Sequence, residues 1–480
     1  MSFSSFQPAD LLAILPEMVL VLLAGLVMTM DVARLTNRRN LGITTAIGLF
    51  VTILLTLLFA RPTGELMWGG MIRNDLAALI FRIIFMFAGA ITALLTLDVE
   101  ALGKRGDFFA ILIGAVIGMN FMAYSADIIM LFLAMETTSV AAYIMSGFAL
   151  SDAKSSEAGL KYLLFGAAAS AVMLFGFTLL FGFTGQTNLY AIAETLARGD
   201  TPASVILTAA VLVMVGVGFK VAAVPFHFWT PDVYEGAPTP VTAFISTASK
   251  TAGFAILTRI FIAGLSAADN WLPMLIAMAV VTMTLGNVVA LAQHNIKRLL
   301  AYSSIAHAGY ALVGFVALSE LGTASMVFYL MAYVVTNLAA FAIVILFARA
   351  AGSDEIADYA GLSRRSPFLA LVMLVAFLSL AGMPPLAGFF GKFYVFAAAV
   401  DAGLIWLAVV GALNAIVGLY YYLIVLKVVY VTPQPEGAGP IAVPRAYGFA
   451  LGVLTVSILV LGTVAGPWFN WALAAAGGIF

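Results

Sequence analysis

Apolar stretches of about 20 residues recur along the whole chain, separated by short polar connections. A helix needs roughly 20 residues to cross the hydrocarbon core of a bilayer, so each stretch predicts a membrane-spanning helix. The fourteen predicted spans lie near residues 11–30, 41–60, 75–97, 108–125, 127–149, 158–183, 203–228, 240–264, 272–292, 298–318, 323–349, 367–400, 402–428 and 446–470. This pattern predicts an all-α polytopic membrane protein with about 14 transmembrane helices.

Lysines and arginines gather in the connections that follow odd-numbered spans. They are Arg34, Arg38, Arg39, Lys104, Arg105, Lys154, Lys161, Lys297, Arg298, Arg349, Arg364, Arg365, Lys427 and Arg445. The connections after even-numbered spans hold only Arg61, Arg73 and Arg198. Because positively charged loops are retained in the cytoplasm, both termini are expected on the periplasmic side. The N-terminal tail, with Asp10 and Glu17 and no base, has no cleavable signal pattern, so the first span is expected to remain a helix.

Proline interrupts two of the predicted spans. Pro225 breaks span 7 near Lys220, and Pro384 with Pro385 breaks span 12 near Lys392. Since five spans separate the two breaks, two five-helix units in series must lie in opposite orientations, as in many secondary transporters. The predicted organisation is three N-terminal spans (1–107), a first repeat of spans 4–8 (108–268), an inverted second repeat of spans 9–13 (269–430), and a linker with the last span (431–480).

The amino-acid composition excludes several classes of protein and several kinds of site. With 63% hydrophobic and 9% charged residues the chain cannot be a soluble domain, and its net charge of -1 gives no reason to expect nucleic acid binding. Zero cysteines exclude disulfides and Cys-ligated iron-sulfur clusters. There is no HExxH motif or histidine pair at metal-binding spacing, so neither a metal site nor any cofactor is expected in this chain.

Four ionisable residues lie deep inside predicted spans: Glu136, Lys220, Lys250 and Lys392. Each costs on the order of 2.5–3.5 kcal/mol at the bilayer centre, so each requires a reason. Seven others are expected to stay hydrated near helix ends: Arg82, Asp127, Lys161, Arg259, Lys297, Arg298 and Lys427. Static salt bridges alone do not explain the deep set, because three lysines face one carboxylate.

Buried lysines of this kind are suited to proton transfer. Burial favours the neutral amine, whereas a carboxylate about 4 Å away favours the ammonium by about 4 kcal/mol at an effective dielectric of 20. Movement of Glu136 toward or away from Lys220 would therefore load or release a proton. His307 is a possible relay because it lies in span 10 among hydroxyl groups and titrates near neutrality.

Three segments resemble the antiporter-like subunit N family of bacterial respiratory complex I, the proton-translocating NADH:quinone oxidoreductase. They are PFHFWTPDVYEGAPTPVTAFISTASKTAGFAIL (225–257), IKRLLAYSSIAHAGYALVG (296–314) and GMPPLAGFFGKFYVF (382–396). The resemblance covers essentially the full chain. The core with Glu136, Lys220 and Lys250 is shared with sister subunits L and M and with multisubunit cation/proton antiporters. The stretch WTPDVYEGAPTP and the lysine at 392 resemble subunit N more specifically.

The resemblance implies a multi-pass module of the bacterial inner membrane that moves protons within a hetero-oligomer of membrane-arm subunits. NADH and quinone would be handled by other subunits, so the chain would be an enzyme only as part of that complex. The resemblance implies that Glu136 and Lys220 gate proton uptake, Lys250 is the central relay, and Lys392 serves the far half-channel, toward a neighbouring subunit.

Two other functions remain open from the sequence. One is a subunit of a monovalent cation/proton antiporter, although a lysine-rich deep set repels cations and suits protons. The other is a non-conducting scaffold, which should tolerate neutral replacements of Glu136 and Lys220.

Overall fold

Long apolar helices dominate a computed structural model that describes residues 8–34, 37–266 and 270–479. The α-helices are α1 Pro8–Ala13, α2 Leu15–Val32, α3 Arg39–Phe59, α4 Leu76–Thr96, α5 Gly106–Tyr124, α6 Ile128–Ser146, α7 Ala153–Thr184, α8 Leu189–Ala197, α9 Ala203–Val221, α10 Trp229–Gly236, α11 Thr239–Phe244, α12 Lys250–Leu257, α13 Leu272–Ala290, α14 Ile296–Phe315, α15 Glu320–Ala351, α16 Leu362–Arg365, α17 Pro367–Ala381, α18 Ala387–Asp401, α19 Ile405–Tyr430, α20 Arg445–Thr463 and α21 Ala465–Gly477. A small antiparallel hairpin, β1 Glu65–Met67 with β2 Ile72–Asn74, connects α3 to α4.

Within the described residues, eleven helices are long and apolar enough to cross a membrane: α2, α3, α4, α5, α6, α7, α9, α13, α15, α19 and α20. The other predicted spans coincide with the helical segments from 239 to 264, with α14, and with the pair α17 and α18. The prediction of an all-α polytopic membrane protein is confirmed. The total of fourteen spans and the inverted repeats stay predictions.

Both spans that were predicted to be interrupted by proline are broken. Helix α9 ends at Val221, and α10 begins at Trp229 after a non-helical stretch that contains Pro225. Helix α17 ends at Ala381, and α18 begins at Ala387. Proline lacks an amide hydrogen and clashes with the preceding turn, which explains both interruptions.

Two compact units make up the chain. The first comprises the chain up to Val221 together with Ala248–Met274 and the segment from Ala474; the second comprises Ala222–Thr247 and Leu275–Leu473. In the first unit α5 packs against α6, and α7 against α9. In the second unit α15 is central, with its apolar stretch entirely buried against α11, α14, α17, α18 and α20. The functional side chains belong to these helices.

Candidate functional site: buried charges and hydroxyl groups

Glu136 lies in the middle of α6. The helix starts where Asp127 caps it by accepting hydrogen bonds from the amides of Ile129 and Met130, at 2.8 and 3.3 Å. The Glu136 carboxylate is half-buried, and Ser170 of α7 donates a hydrogen bond to its Oε1 over 2.5 Å. A short bond to a carboxylate is a charge-assisted one, so Ser170 fixes the position of this acid.

Lys220 lies in the last turn of α9, with only 2% of its surface exposed. Its Nζ donates to the hydroxyl of Ser139 over 3.2 Å, and the charge of Glu136 attracts it. Ser139 is one helical turn beyond Glu136 on α6. The structure therefore places Lys220 near Glu136, with its ammonium hydrogen-bonded to a serine of the same helix α6.

Lys250 begins α12 directly after a π-helical segment, Ile245–Ser249, and is 2% exposed. One turn later, Gly253 faces α9: a Cβ atom there would lie 2.7 Å from Val221 and 3.2 Å from Cγ of Lys220. The glycine lets the helix that carries Lys250 pack directly on the aliphatic stem of Lys220.

Lys392 lies in α18, one turn after the break, and is 6% exposed. Its Nζ donates to the carbonyl oxygens of Leu380 and Ala381 at 3.0 and 2.9 Å. It also lies 4.8 Å from the centre of the Tyr310 ring. Because α17 ends here, these carbonyls have no amide partner within a helix and are available to the ammonium. Carbonyl dipoles and an aromatic ring thus solvate this cation.

His307 of α14 is 5% exposed and contacts two tyrosines. Its Nδ1 lies 2.5 Å from the hydroxyl of Tyr329, and its Nε2 lies 3.3 Å from that of Tyr422. Tyr422 also hydrogen-bonds Ser303. An imidazole between two hydroxyls can accept a proton on one nitrogen while it donates from the other, so the geometry is that of a relay.

One cavity joins His307 and Lys392. It is small, with room for about one water molecule, and is lined by His307, Tyr329, Ala332, Tyr333, Thr336, Ser379, Leu380, Gly388 and Lys392. The hydroxyls of Thr336 and Ser379 lie 3.2 Å apart, and Ser379 also accepts a bond from the amide of Gly388 at 3.1 Å. A polar lining of this kind suits ordered water.

A hydrogen-bonded chain leads away from this cavity. Tyr333 donates to Ser304 at 2.8 Å, and Asn337 donates to Tyr333 at 3.1 Å and to Ser246 at 2.9 Å. Ser246 precedes Lys250 by four residues along the chain. Polar groups of α14 and α15 therefore connect the cavity with the segment that leads into Lys250.

Two arginines that were expected to be hydrated are instead buried in ion pairs. Arg82 donates to Glu17 from Nε at 3.1 Å and from Nη2 at 2.8 Å. Arg259 donates to Asp75 from Nη1 at 2.6 Å and from Nη2 at 2.7 Å. Both arginines are 2% exposed. Their partners Glu17 and Asp75 are buried carboxylates as well, at 3% and 2% exposed.

Sequence reasoning missed the neutral partners of the site: Ser139, Ser170, Tyr329, Tyr333, Asn337 and Tyr422. A serine in an apolar helix usually hydrogen-bonds its own backbone four residues back, so Ser139 and Ser170 carry no distinctive signal. The tyrosines lie on α15 and α19, and no local sequence pattern connects them with His307. In the described parts of the chain, no three His, Asp or Glu side chains are placed to hold a metal ion.

Comparisons with known proteins place this architecture in a family. Residues 125–418 match the transmembrane family NADH:quinone oxidoreductase/Mrp antiporter. NADH-quinone oxidoreductase subunit N of Moorella thermoacetica is 44% identical over 445 residues, which are 92% of this chain and 93% of that protein. The chain belongs to the NADH:quinone oxidoreductase/Mrp antiporter family, and the resemblance seen in its motifs is confirmed.

Solved structures extend the similarity. A chain of respiratory complex I from Thermus thermophilus is 32% identical, with a TM-score of 0.81 over 95% of this chain and 98% of that one. A chain of the Mrp complex from a Dietzia species has a TM-score of 0.84 at 21% identity, over 99% and 98% of the two chains. The second likeness concerns the fold alone.

Proposed function

We propose that this chain is a proton-translocating subunit in the membrane arm of a bacterial NADH:quinone oxidoreductase, respiratory complex I. It works in the inner membrane within a hetero-oligomer of membrane-arm subunits. Other subunits oxidise NADH and reduce quinone, and this chain contributes proton movement and no redox centre. The similarity to subunit N of Moorella thermoacetica and to complex I of Thermus thermophilus supports this assignment.

The observation that carries the proposal is the difference between two of the buried lysines, Lys220 and Lys392, and the buried arginines. Arg82 and Arg259 each hold a carboxylate through two hydrogen bonds. Lys220 and Lys392 are instead solvated by a serine hydroxyl and by backbone carbonyls. Arginine stays protonated in proteins, whereas a buried lysine can release its proton. A lysine whose hydrogen bonds go to neutral groups can therefore release its proton without breaking a direct ion pair.

The proposed roles follow the chain of contacts. Glu136 and Lys220 control proton uptake together, with Ser139 holding the lysine and Ser170 fixing the carboxylate. Lys250 is the central relay. His307 and Lys392 share the cavity of the second unit, where hydroxyls and water pass the proton onward. Each step moves one proton between an amine, an imidazole or a hydroxyl and its neighbour.

The membrane topology belongs to the same proposal. Fourteen spans place both termini in the periplasm, and spans 4–8 (108–268) and 9–13 (269–430) form two inverted repeats. The two broken helices, five spans apart, and the bias of basic connections support this arrangement.

A cation/proton antiporter subunit is the second candidate, supported by a fold shared with the Mrp complex. Isolation of the chain from native membranes separates the candidates. We expect it to copurify with flavin and iron-sulfur subunits and with NADH:quinone activity. In inverted vesicles, NADH should drive proton uptake that Lys220→Ala abolishes. Copurification with cation transporters instead, and sodium-dependent proton exchange without NADH, would support the antiporter.

A further inference from the structure

Asn337 links two hydroxyl groups in the hydrogen-bonded chain of the second unit. Its side chain is 1% exposed and lies between Ser246 and Tyr333. Nδ2 donates to both hydroxyls, at 2.9 Å and 3.1 Å. Among the described residues, Oδ1 of Asn337 has no hydrogen-bond partner although it is buried.

The neighbouring hydroxyls fix the orientation of this amide. Tyr333 directs its single hydrogen to Ser304 over 2.8 Å, and Ser246 directs its own to the carbonyl of Ala243 over 3.0 Å. Each hydroxyl has one hydrogen to donate, so both oxygens are left as acceptors toward Asn337. A rotated amide would present its oxygen to two oxygens that have no hydrogen to offer. Only the NH₂ group satisfies both contacts.

Two hydrogen-bonded branches therefore diverge from Asn337, one through Ser246 and one through Tyr333. A proton moves along such a chain only when each group donates to the next in the same direction, so that one O–H bond forms as another breaks. At Asn337 both hydrogen bonds point outward. The amide can give hydrogen bonds to both sides, but it cannot receive a proton from either.

We infer that Asn337 is a proton valve between the segment leading into Lys250 and the cavity of His307 and Lys392. The inference rests on the proposed function. In the observed arrangement the valve is closed and prevents back-flow through the hydroxyl chain. It opens when a water molecule bridges Ser246 and Tyr333 directly, so that one hydroxyl donates its proton to the water while the water donates another to the second hydroxyl, and the amide is bypassed. Asn337 is thus a positioning residue, which sets the direction of its neighbours' hydrogen bonds.

Three replacements at this position test the valve. Asn337→Asp keeps the shape and presents two acceptor oxygens, which let Ser246 and Tyr333 both donate inward and let the carboxylate take up a proton. Asn337→Ser leaves room for water and supplies a hydroxyl that can both accept and donate. Asn337→Leu fills a similar volume with no polar group, so it serves as the matched control for changes in packing.

The measurement is passive proton leak in vesicles that hold the assembled complex, without NADH, together with protons moved per NADH oxidised. We expect Asn337→Asp and Asn337→Ser to raise the leak rate roughly tenfold, the effect of a modest drop in barrier, and to lower the proton yield. Asn337→Leu should leave the leak unchanged.

The valve is refuted if neither polar variant leaks, or if Asn337→Leu leaks equally. If Asn337→Asp and Asn337→Ser both behave like the parent while Lys220→Ala still abolishes pumping, the valve fails and the proposed function stands. If the parent complex pumps no protons, the proposed function fails.

Discussion

The ammonium of Lys220 lies 3.2 Å from the hydroxyl of Ser139, which is one helical turn beyond Glu136 on α6. The lysine therefore hydrogen-bonds a hydroxyl on the same helix that carries the acid, and a hydroxyl can both accept and donate a proton. A lysine held in this way is near the acid without a direct ion pair to it. The Ser170 hydroxyl donates a hydrogen bond to the Glu136 carboxylate over 2.5 Å and fixes the position of the acid.

The first prediction concerns this pair. Glu136→Ala and Lys220→Ala should each lower NADH-driven proton pumping by about tenfold or more, because a positioned proton-transfer group typically contributes a larger factor than this. The double variant should be little worse than either single variant, since both residues act through one linkage. Pumping is measured in inverted vesicles, with assembly checked on native gels. Additive losses would assign the residues to separate pathways, and loss of assembly would favour a structural lock.

The second prediction concerns the buried ion pair of Glu17 and Arg82. Removal of one partner leaves a buried charge without its counterion, so Glu17→Leu and Arg82→Met should each destabilise the protein by about 3–5 kcal/mol. The double variant should recover much of the loss, because neither charge remains. Thermal unfolding of the purified complex, with the amount assembled in membranes, is the measurement. Strong pumping defects in stable single variants would contradict a purely structural role.

The third prediction concerns the close contact at the second break. A Cβ atom on Gly388 would lie 1.8 Å from the carbonyl oxygen of Ser379, so Gly388→Ala must displace α18 or the end of α17. Because Lys392 is carried by α18, we expect proton pumping to fall sharply. Gly452→Ala in α20 is the matched control, since nothing lies within 4 Å of a Cβ atom there. Equal behaviour of the two variants would show that the spacing at the break is unimportant.

The fourth prediction concerns topology. A reporter fused after Phe480 should lie in the periplasm, and one inserted near Arg38 should lie in the cytoplasm, because basic connections are retained inside. Compartment-specific enzyme reporters provide the measurement. Placement of both reporters in the same compartment would contradict the fourteen spans, and reversal of both would contradict the orientation.

Much of this arrangement could be predicted from the sequence because buried charge and proline carry large free-energy costs. Those costs singled out Glu136, Lys220, Lys250 and Lys392, and they located both helix breaks. The π-helical segment before Lys250 has no comparable signature. Glu17 was counted with the N-terminal tail, and its pairing with Arg82 could not be recognised because the two residues are 65 positions apart. Long-range partners and neutral hydroxyls are fixed by tertiary packing, and a single sequence does not encode them in a readable local pattern.

The central claim is that buried lysines of this chain take up and release protons, and Lys392 tests it most directly. Lys392→Arg keeps a positive charge near the carbonyls of Leu380 and Ala381 but holds its proton at any usable pH. Lys392→Glu restores a group that can titrate when buried, and Lys392→Met removes the charge. The measurement is NADH-driven proton pumping in inverted vesicles with matched amounts of assembled complex. We predict severe loss in Lys392→Arg and Lys392→Met with partial activity in Lys392→Glu, whereas full pumping by Lys392→Arg would contradict the claim.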